Sequence, residues 1–238
     1  RNAKGEIEKD ASGNTLKVPG TLKEVRAVGW YVDEYQRAQV SINLTNFEVT
    51  SLHQAFDEVV RQAELLGLRV TGSEIVGLVP LAPMLEAGRH YLRKQGRSTG
   101  VSEAEIVECA IQSLGLAELS PFLAKEKIIE YRVAPEGKFL RDMSLTAFVD
   151  ELASESPAPG GGSVAALCGS LSAALSAMVA NLTFDKKGFE EKKAMMEGVG
   201  RDAQRLKQWL LQTVDDDMLA FNRILDARRL AKGSESEK

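Results

Sequence analysis

The stretch ESPAPGGGSVAALCGSLSAALSAMVANLT, residues 155–183, decides the fold of the second half of the chain. Two prolines and three successive glycines lead into about twenty residues that carry no charge. Such a run is long enough to cross a bilayer, but it is mostly Ala and Ser, contains Asn181, and lacks an aromatic belt and flanking basic residues. We therefore expect a buried helix over Ser163–Thr183 and no membrane span.

Two stripes run along this predicted helix, one of large apolar residues and one of small residues. A helix that is apolar all round is buried all round, so we expect both stripes to be covered. Small side chains also let another backbone come close, as in a helical assembly across a dimer axis. The large stripe is Leu167, Leu171, Leu175, Met178 and Leu182; the small stripe is Ala166, Ser170, Ala173, Ala177 and Ala180.

The glycines before this helix, Gly160, Gly161 and Gly162, do not form a Walker phosphate loop, because no Lys follows them and no strand precedes them. A bare loop entering a helix still leaves several N–H groups pointing outward at the positive end of the macrodipole. Such a place favours a polar or anionic ligand group. The alternative is a tight turn with Ser163 near the helix start, and the sequence leaves both interpretations open.

Composition describes a globular chain of 238 residues, 44% apolar and 27% charged, with a net charge of −4. This balance is not that of a non-specific nucleic-acid binder, which has a basic surface. We expect Cys109 and Cys168 to be reduced, buried thiols. The start is charged and lacks the apolar core of a signal peptide. It also lacks an initiator Met, so we expect the chain to be a piece of a longer protein.

The first half alternates strand and helix patterns, as an α/β layer does. A short pair of strands is expected around Ser12–Asn14. Further strands are expected at 25–32, 38–44, 68–80 and 127–133, and helices are expected at 50–66, 83–94 and 102–114. In the 38–44 strand, Val40, Ile42 and Leu44 alternate with polar residues. The predicted fold class is α+β: an α/β lobe with a mixed sheet, followed by an all-α bundle joined to it near Pro135.

The second half has no convincing strand, and helices are expected at 144–153, 163–183 and 190–232. The last helix carries apolar residues at spacings of three and four, typical of a bundle-facing seam, with early glycines that argue for a later start. Asp217 falls on this seam, whereas Asp215 and Asp216 fall off it and are expected to be solvated. A carboxylate on an apolar stripe is desolvated, which raises the pKa and suits proton exchange. The alternative is a buried structural Asp. The seam is Met196, Val199, Ala203, Leu206, Leu210, Thr213, Asp217, Ala220 and Ile224.

Other candidate residues are weaker. His53 is interpreted as structural or solvated and His90 as exposed, and no HExxH, CxxC or Ser/His/Asp set is present. We therefore expect no metal site. Glu74 lies between two glycines in a predicted strand, where an acid could contact a ligand or lie at a sheet rim.

Two motifs identify a family resemblance: PAPGGGSVAAL at residues 157–167 and DDDMLAF at residues 215–221. With them, the second half resembles the cyclodeaminase domain of the formiminotransferase-cyclodeaminases. VGWYVDEYQRAQVSINLTNFEVT, GSEIVGLVPL and KEKIIEYRV, in that order, resemble the C-terminal lobe of the formiminotransferase domain. The resemblance implies an inter-lobe connection at 1–19, that lobe at 20–134, a linker at 135–143 and the first half of the cyclodeaminase domain at 144–238.

The resemblance implies a multifunctional transferase and lyase of one-carbon and histidine metabolism in the cytoplasm. Its substrates would be N-formimino-glutamate and polyglutamylated tetrahydrofolate, and it would form a homo-oligomer through helical dimer interfaces, without metal, nucleic acid or membrane. The Asp of the family's D-x-x-A-F signature corresponds to Asp217, implied to be the catalytic acid and base. Folate contacts are implied for Gly160, Gly161, Gly162 and Ser163.

Departures from the family pattern limit what is carried over. The transferase His belongs to a lobe absent here, and neither His53 nor His90 lies in its motif, so no transferase catalytic residue is assigned. Gln39, Asn43 and Glu74 are expected to line the substrate side of the lobe, as is Ser41. We expect this chain alone to be inactive. The rival functions are a methenyltetrahydrofolate cyclohydrolase, which shares the glycine-loop domain, and a non-catalytic helical assembly module.

Overall fold

The structure, a computed structural model, describes residues 7–16, 20–134 and 139–229. The chain divides into two compact units, with the division between Thr71 and Gly72. Some predicted segments lie outside the described residues. They are part of the predicted inter-lobe connection, the linker residues 135–138 and the predicted helix end at 230–232. The predicted domain boundary near Pro135 therefore stays a prediction, distinct from the division between the compact units.

The first unit contains a two-stranded hairpin followed by one helix. Strand β1 (Val25–Val32) pairs antiparallel with β2 (Arg37–Leu44), in a register that sets Val25 opposite Leu44. Helix α1 (Leu52–Leu65) follows. A hydrogen bond stabilises its first turn: the Ser51 N–H donates to Gln54 Oε1 at 2.9 Å. These three predicted elements are confirmed. The predicted pair of short strands around Gly13 is confirmed as well, because Lys9 and Thr15 form an isolated antiparallel bridge.

Two further predicted strands are wrong. In the described residues, segments 68–80 and 127–133 pair only through a parallel bridge between Val79 and Ile128. Gly77 adopts a φ of +81°, which breaks the extended conformation just before that bridge. After Ile128 the chain turns into a short helix instead of continuing as a strand. The α+β class is confirmed, but the sheet in the described residues is a two-stranded antiparallel hairpin, smaller than the mixed sheet we expected.

The second unit is helical. Three of its helices match predictions closely: α2, α3 and α6. Between them lie two short helices, α4 and α5, and α6 is preceded by a 3₁₀ turn at Leu140–Asp142. The helices are α2 (Leu81–Lys94), α3 (Glu103–Ser113), α4 (Ala124–Lys127), α5 (Ile129–Arg132), α6 (Leu145–Leu152), α7 (Gly161–Phe184) and α8 (Lys193–Arg229).

Helix α8 starts earlier than its glycines suggested. A 3₁₀ turn at Glu190–Lys192 leads directly into α8 at Lys193, and the helix continues through Gly198 and Gly200. A glycine costs a helix interior about 1 kcal/mol relative to Ala. This cost is offset at Gly200, because its backbone lies against the backbone of Gly100.

Helix α7 packs on α8 through its small stripe, whereas its large stripe is uncovered. Ala166, Ser170 and Ala177 are buried, but four members of the large stripe are 49–70% exposed. The expectation that both stripes are buried is therefore wrong within this chain. Small side chains let the α8 backbone approach, as the Ser170 hydroxyl shows by donating to Lys207 O at 3.0 Å. By length and composition alone α7 could also cross a membrane.

A loop between α2 and α3 contacts the far end of the α7–α8 pair. A Cβ on Gly100 would lie 2.9 Å from the Cα of Gly200, so the two backbones are in direct contact. Gly100 O accepts hydrogen bonds from Asn181 Nδ2 at 2.9 Å and from Gln204 Nε2 at 3.3 Å. Ser98 Oγ donates to Asn181 Oδ1 at 3.0 Å. We call this contact the glycine junction.

Candidate active site

The N-terminus of α7 is formed by bare backbone. Gly160 is the N-cap residue and no side chain caps the helix. The first N–H groups of a helix have no partner within the helix, and the macrodipole gives this end a partial positive charge. Nothing lies within 4 Å of a Cβ built on Gly160 or Gly161, so open space lies beside this backbone.

Asp217 of α8 lies directly against this helix end. Its Oδ2 accepts a hydrogen bond from Ser163 Oγ at 2.9 Å, and Ser163 is completely buried. The same hydroxyl lies 3.1 Å from Val214 O, so its single proton is shared between two acceptors. A Cβ on Gly162 would lie 2.6 Å from Asp217 Cγ and 2.7 Å from Oδ2. Gly162 is therefore the residue that leaves room for the carboxylate.

These groups line a cleft of about 250 Å³. Asp217 is half-buried at this cleft, in a setting that is polar on one side and apolar on the other. The lining residues are Pro157, Ala158, Gly160, Gly161, Gly162, Asp217, Met218 and Phe221.

The bundle-facing seam predicted for α8 is only partly correct. Three of its members, Ala203, Leu210 and Asp217, do face α7, but Val199, Leu206 and Ile224 are 43–52% exposed. Contact with α7 instead follows residues 203, 207, 210, 214 and 217. The evidence is the burial of Ala203 and Val214, the Ser170–Lys207 and Ser163–Val214 hydrogen bonds, and the approach of Leu210 Cδ1 to within 3.1 Å of a Cβ on Gly169.

The three successive aspartates have three different environments. Asp216 is exposed, as predicted. Asp215 is completely buried, so the expectation that it is solvated is wrong. Its Oδ1 accepts a hydrogen bond from Leu140 N at 2.7 Å, and its Oδ2 lies 3.0 Å from Arg141 Nη1. The seam pattern missed this because Asp215 faces the 3₁₀ turn before α6 instead of α7.

The structure thus brings the predicted residues Gly160, Gly161, Gly162, Ser163 and Asp217 together in one cleft. It also adds residues that sequence reasoning did not select. Phe221 follows Asp217 by four positions, a helical spacing that could have indicated it, whereas Met218 follows by one position, which that spacing does not indicate.

The remaining predicted site residues do not line this cleft. Gln39 and Asn43 lie four residues apart on β2, in the first compact unit, with Gln39 half-buried and Asn43 exposed. Glu74 is exposed in the segment between α1 and α2, which is not a strand. Their expected roles stay predictions.

The cysteines and histidines differ partly from expectation. Both cysteines are free; Cys109 is buried as predicted, whereas Cys168 is exposed, because it lies off the small stripe of α7. His53 is buried with Nδ1 3.0 Å from Ser51 Oγ, and His90 is half-buried instead of exposed. Among the residues that the structure describes, no group of three or more His, Cys, Asp or Glu side chains could hold a metal ion.

Two family profiles match the chain in succession. The family described as "Formiminotransferase domain" matches residues 4–134, and the family described as "Formiminotransferase-cyclodeaminase" matches residues 144–238.

Named relatives agree with these matches. The chain is 41% identical over 222 residues to the formimidoyltransferase-cyclodeaminase of Mus musculus, covering 92% of this chain and 41% of that protein. It is 41% identical over 228 residues to the protein of that name from Gallus gallus, covering 95% and 42%. A methenyltetrahydrofolate cyclohydrolase of Methylorubrum extorquens is 39% identical over 95 residues, covering 40% and 46%. The chain spans about two fifths of the length of the first two relatives.

Proposed function

The chain belongs to the formiminotransferase-cyclodeaminase family, and on this premise we propose that it is part of a bifunctional folate enzyme. The first activity transfers the formimino group of N-formimino-L-glutamate to tetrahydrofolate. The second closes 5-formiminotetrahydrofolate to 5,10-methenyltetrahydrofolate and releases ammonia. The proposed domains are the transferase C-terminal lobe at 20–134 and the first half of the cyclodeaminase domain at 144–238.

One observation carries the cyclodeaminase proposal: an aspartate carboxylate and an uncapped helix N-terminus meet in one cleft. Asp217 is held by Ser163 and faces open space beside Gly160 and Gly161. A positioned carboxylate beside a ligand cleft is the arrangement that general acid–base catalysis requires.

The proposed chemistry uses Asp217 as base and then as acid. In the amidinium form of the substrate, N10 attacks the formimino carbon, a C–N10 bond forms, and the N10 proton passes to Asp217. The C–N bond to the formimino nitrogen then breaks, and that nitrogen takes the same proton and leaves as ammonia. The product keeps the positive charge, which the carboxylate of Asp217 stabilises.

The cleft would hold one end of the folate. Its volume of about 250 Å³ lies below the range of roughly 300–1,000 Å³ that is usual for sites of drug-sized ligands. We infer that a ring portion enters the cleft and that the glycine N–H groups bind its polar atoms, while the glutamate tail lies outside. No metal takes part in the proposed step.

For the transferase activity we propose a substrate-binding role for Gln39 and Asn43 of the first unit and, separately, for Glu74. All three are polar, and Gln39 and Asn43 lie on one face of β2, because alternate residues of a strand share a face.

The exposed large stripe of α7 supports a homo-oligomer. Leu171, Leu175 and Leu182 are 58%, 59% and 70% exposed, and contiguous apolar surface of this kind is typical of an interface. We propose that helical faces of two subunits cover it. The family's reaction further suggests a cytoplasmic enzyme of histidine breakdown.

The test is turnover of 5-formiminotetrahydrofolate by the full-length protein that carries this chain, followed through the absorbance of the methenyl product and the release of ammonia. Asp217→Asn is compared with Asp216→Asn, a matched change at the exposed neighbour. We expect Asp217→Asn to lower kcat by at least about 100-fold, the lower range for a lost general acid–base group, while folate still binds. We expect Asp216→Asn to keep wild-type turnover.

Three results would contradict the proposal. Unchanged turnover in Asp217→Asn would make that aspartate structural. Consumption of methenyltetrahydrofolate without ammonia release would instead favour a cyclohydrolase, the activity named for the Methylorubrum extorquens relative. Absence of both turnover and folate binding would leave the helical half as an assembly module.

A further inference from the structure

Asp215 is a completely buried carboxylate that does not line the cleft. One oxygen accepts the Leu140 N–H at 2.7 Å. The other, Oδ2, lies 3.0 Å from Arg141 Nη1, but the angle is not that of a hydrogen bond, so this buried oxygen has no hydrogen bond in the described residues. A buried carboxylate left partly unsatisfied carries an energetic cost, which calls for an explanation.

Arg141 is itself held from several sides. Its guanidinium lies 4.4 Å from the centre of the Phe139 ring, and its side chain is 22% exposed. Nη1 also donates to Gln212 Oε1, one turn before Asp215 on α8. Residues 139–141 are therefore attached to α8 through both Gln212 and Asp215.

A buried ion pair is weak evidence for stability, since apolar residues of the same volume often stabilise a fold more. Its best-supported role is to fix one geometry among several. Here the surrounding contacts are apolar: Leu140, Phe148, Ala166 and Val214 form a buried cluster beside the pair. Apolar contacts are non-directional, whereas the Leu140–Asp215 hydrogen bond requires one position of the 3₁₀ turn on α8.

The two chain segments that the pair joins lead to the two walls of the cleft. From Leu140 the chain continues through α6 and reaches Pro157, Ala158 and the glycines in one short connection. From Asp215 the helix continues directly to Asp217, Met218 and Phe221 on the opposite wall. The pair therefore ties the segment that leads to the wall offering N–H groups to the helix that carries the carboxylate.

We propose that Asp215 and Arg141 form a positioning pair that sets the Asp217 carboxylate against the glycine segment. The proposal rests on the proposed cyclodeaminase function for its catalytic readout. Asp215 touches neither substrate nor reacting atoms; it acts through the position of Asp217.

The test is Asp215→Asn in the full-length protein, with Asp216→Asn as the matched control. Asn keeps an oxygen for the Leu140 N–H but loses the charge that holds Arg141. We expect kcat of cyclodeamination to fall by about 100-fold, the loss associated with a displacement near 1 Å in a catalytic site, with little change in KM. Asp216→Asn is expected to keep the wild-type kcat.

A second variant, Arg141→Lys, keeps the positive charge but not the planar fork that reaches Asp215 and Gln212. It is expected to lower kcat in the same direction by a smaller factor. If the residues act as one pair, the double variant loses no more than Asp215→Asn alone. The single variant Arg141→Lys keeps the proposal testable if Asp215→Asn does not fold.

A structural role alone predicts another pattern. The unfolding midpoint of Asp215→Asn and Arg141→Lys would fall, while kcat per folded molecule stayed at the wild-type value; that result overturns the proposal. The ¹³C carboxyl resonance of Asp217 provides a readout that does not depend on turnover. It is expected to shift in Asp215→Asn and to stay in place in Asp216→Asn, and an unmoved resonance also overturns the proposal. If the wild type lacks turnover, the proposed function fails while the resonance still tests the positioning.

Discussion

Replacement of Gly162 by Ala is the sharpest test of the cleft geometry. The added Cβ would lie 2.6 Å from Asp217 Cγ, whereas non-bonded carbons prefer about 3.5–4.0 Å. The carboxylate must therefore move by about 1 Å. A rotation of Asp217 away from Gly162 breaks its hydrogen bond with Ser163 Oγ, which is 2.9 Å long.

The expected magnitude has two parts. Overpacking of this kind costs about 1–3 kcal/mol of unfolding free energy. A carboxylate displaced by about 1 Å is expected to lower turnover by about 100-fold. Both should appear together in Gly162→Ala, because one side chain takes part in the packing and in the chemistry.

The assay compares Gly162→Ala with Gly161→Ala. Gly161 is the adjacent helical residue, and nothing lies within 4 Å of a Cβ added there. Urea unfolding measures stability, and methenyl absorbance measures turnover in the full-length protein. Gly161→Ala is expected to retain its stability. Wild-type stability together with wild-type turnover in Gly162→Ala would refute the close contact between Gly162 and Asp217.

Three further measurements follow from the structure. Gly100→Ala should destabilise the protein by about 1–3 kcal/mol in thermal unfolding, because the added Cβ meets the α8 backbone. Gly198→Ala should stabilise the protein by up to about 1 kcal/mol, because nothing lies within 4 Å of a Cβ added there. Ser163→Ala should cost about 1 kcal/mol in urea unfolding through a lost buried hydrogen bond. Hydrogen bonds from Arg61 lower the pKa of Glu58 from 4.5 to about 2. The stability advantage over Glu58→Gln should therefore be full above pH 4.5 and disappear as the pH falls to 2, as measured by unfolding midpoints.

Local sequence signals predicted the helices well. The apolar run after the glycines fixed α7 within two residues of its ends, and the family motif fixed Asp217 as its partner across the cleft. Ser144 begins α6 because its side chain accepts a hydrogen bond from Ala147 N at 3.1 Å, a capping contact that the sequence pattern anticipates.

What the sequence could not specify was which face of each helix meets which neighbour. The large residues of α7 looked like core, yet Leu175 is 59% exposed and Ala177 is 2% exposed. Close backbone approach selected the small stripe, and periodicity does not distinguish small from large at equal spacing. Asp215 was misjudged for the same reason, because its partners Leu140 and Arg141 are distant in sequence.

The single helix α8 joins two places that respond to each other mechanically. Gly200 touches the α2–α3 loop at the glycine junction, and Asp217 lies seventeen residues further along, about 25 Å at 1.5 Å per residue. A rod of that length behaves as a lever: a tilt of about 2° at the junction displaces the carboxylate by about 1 Å. The position of the proposed catalytic carboxylate is thus sensitive to a contact between two glycine backbones, far from the cleft.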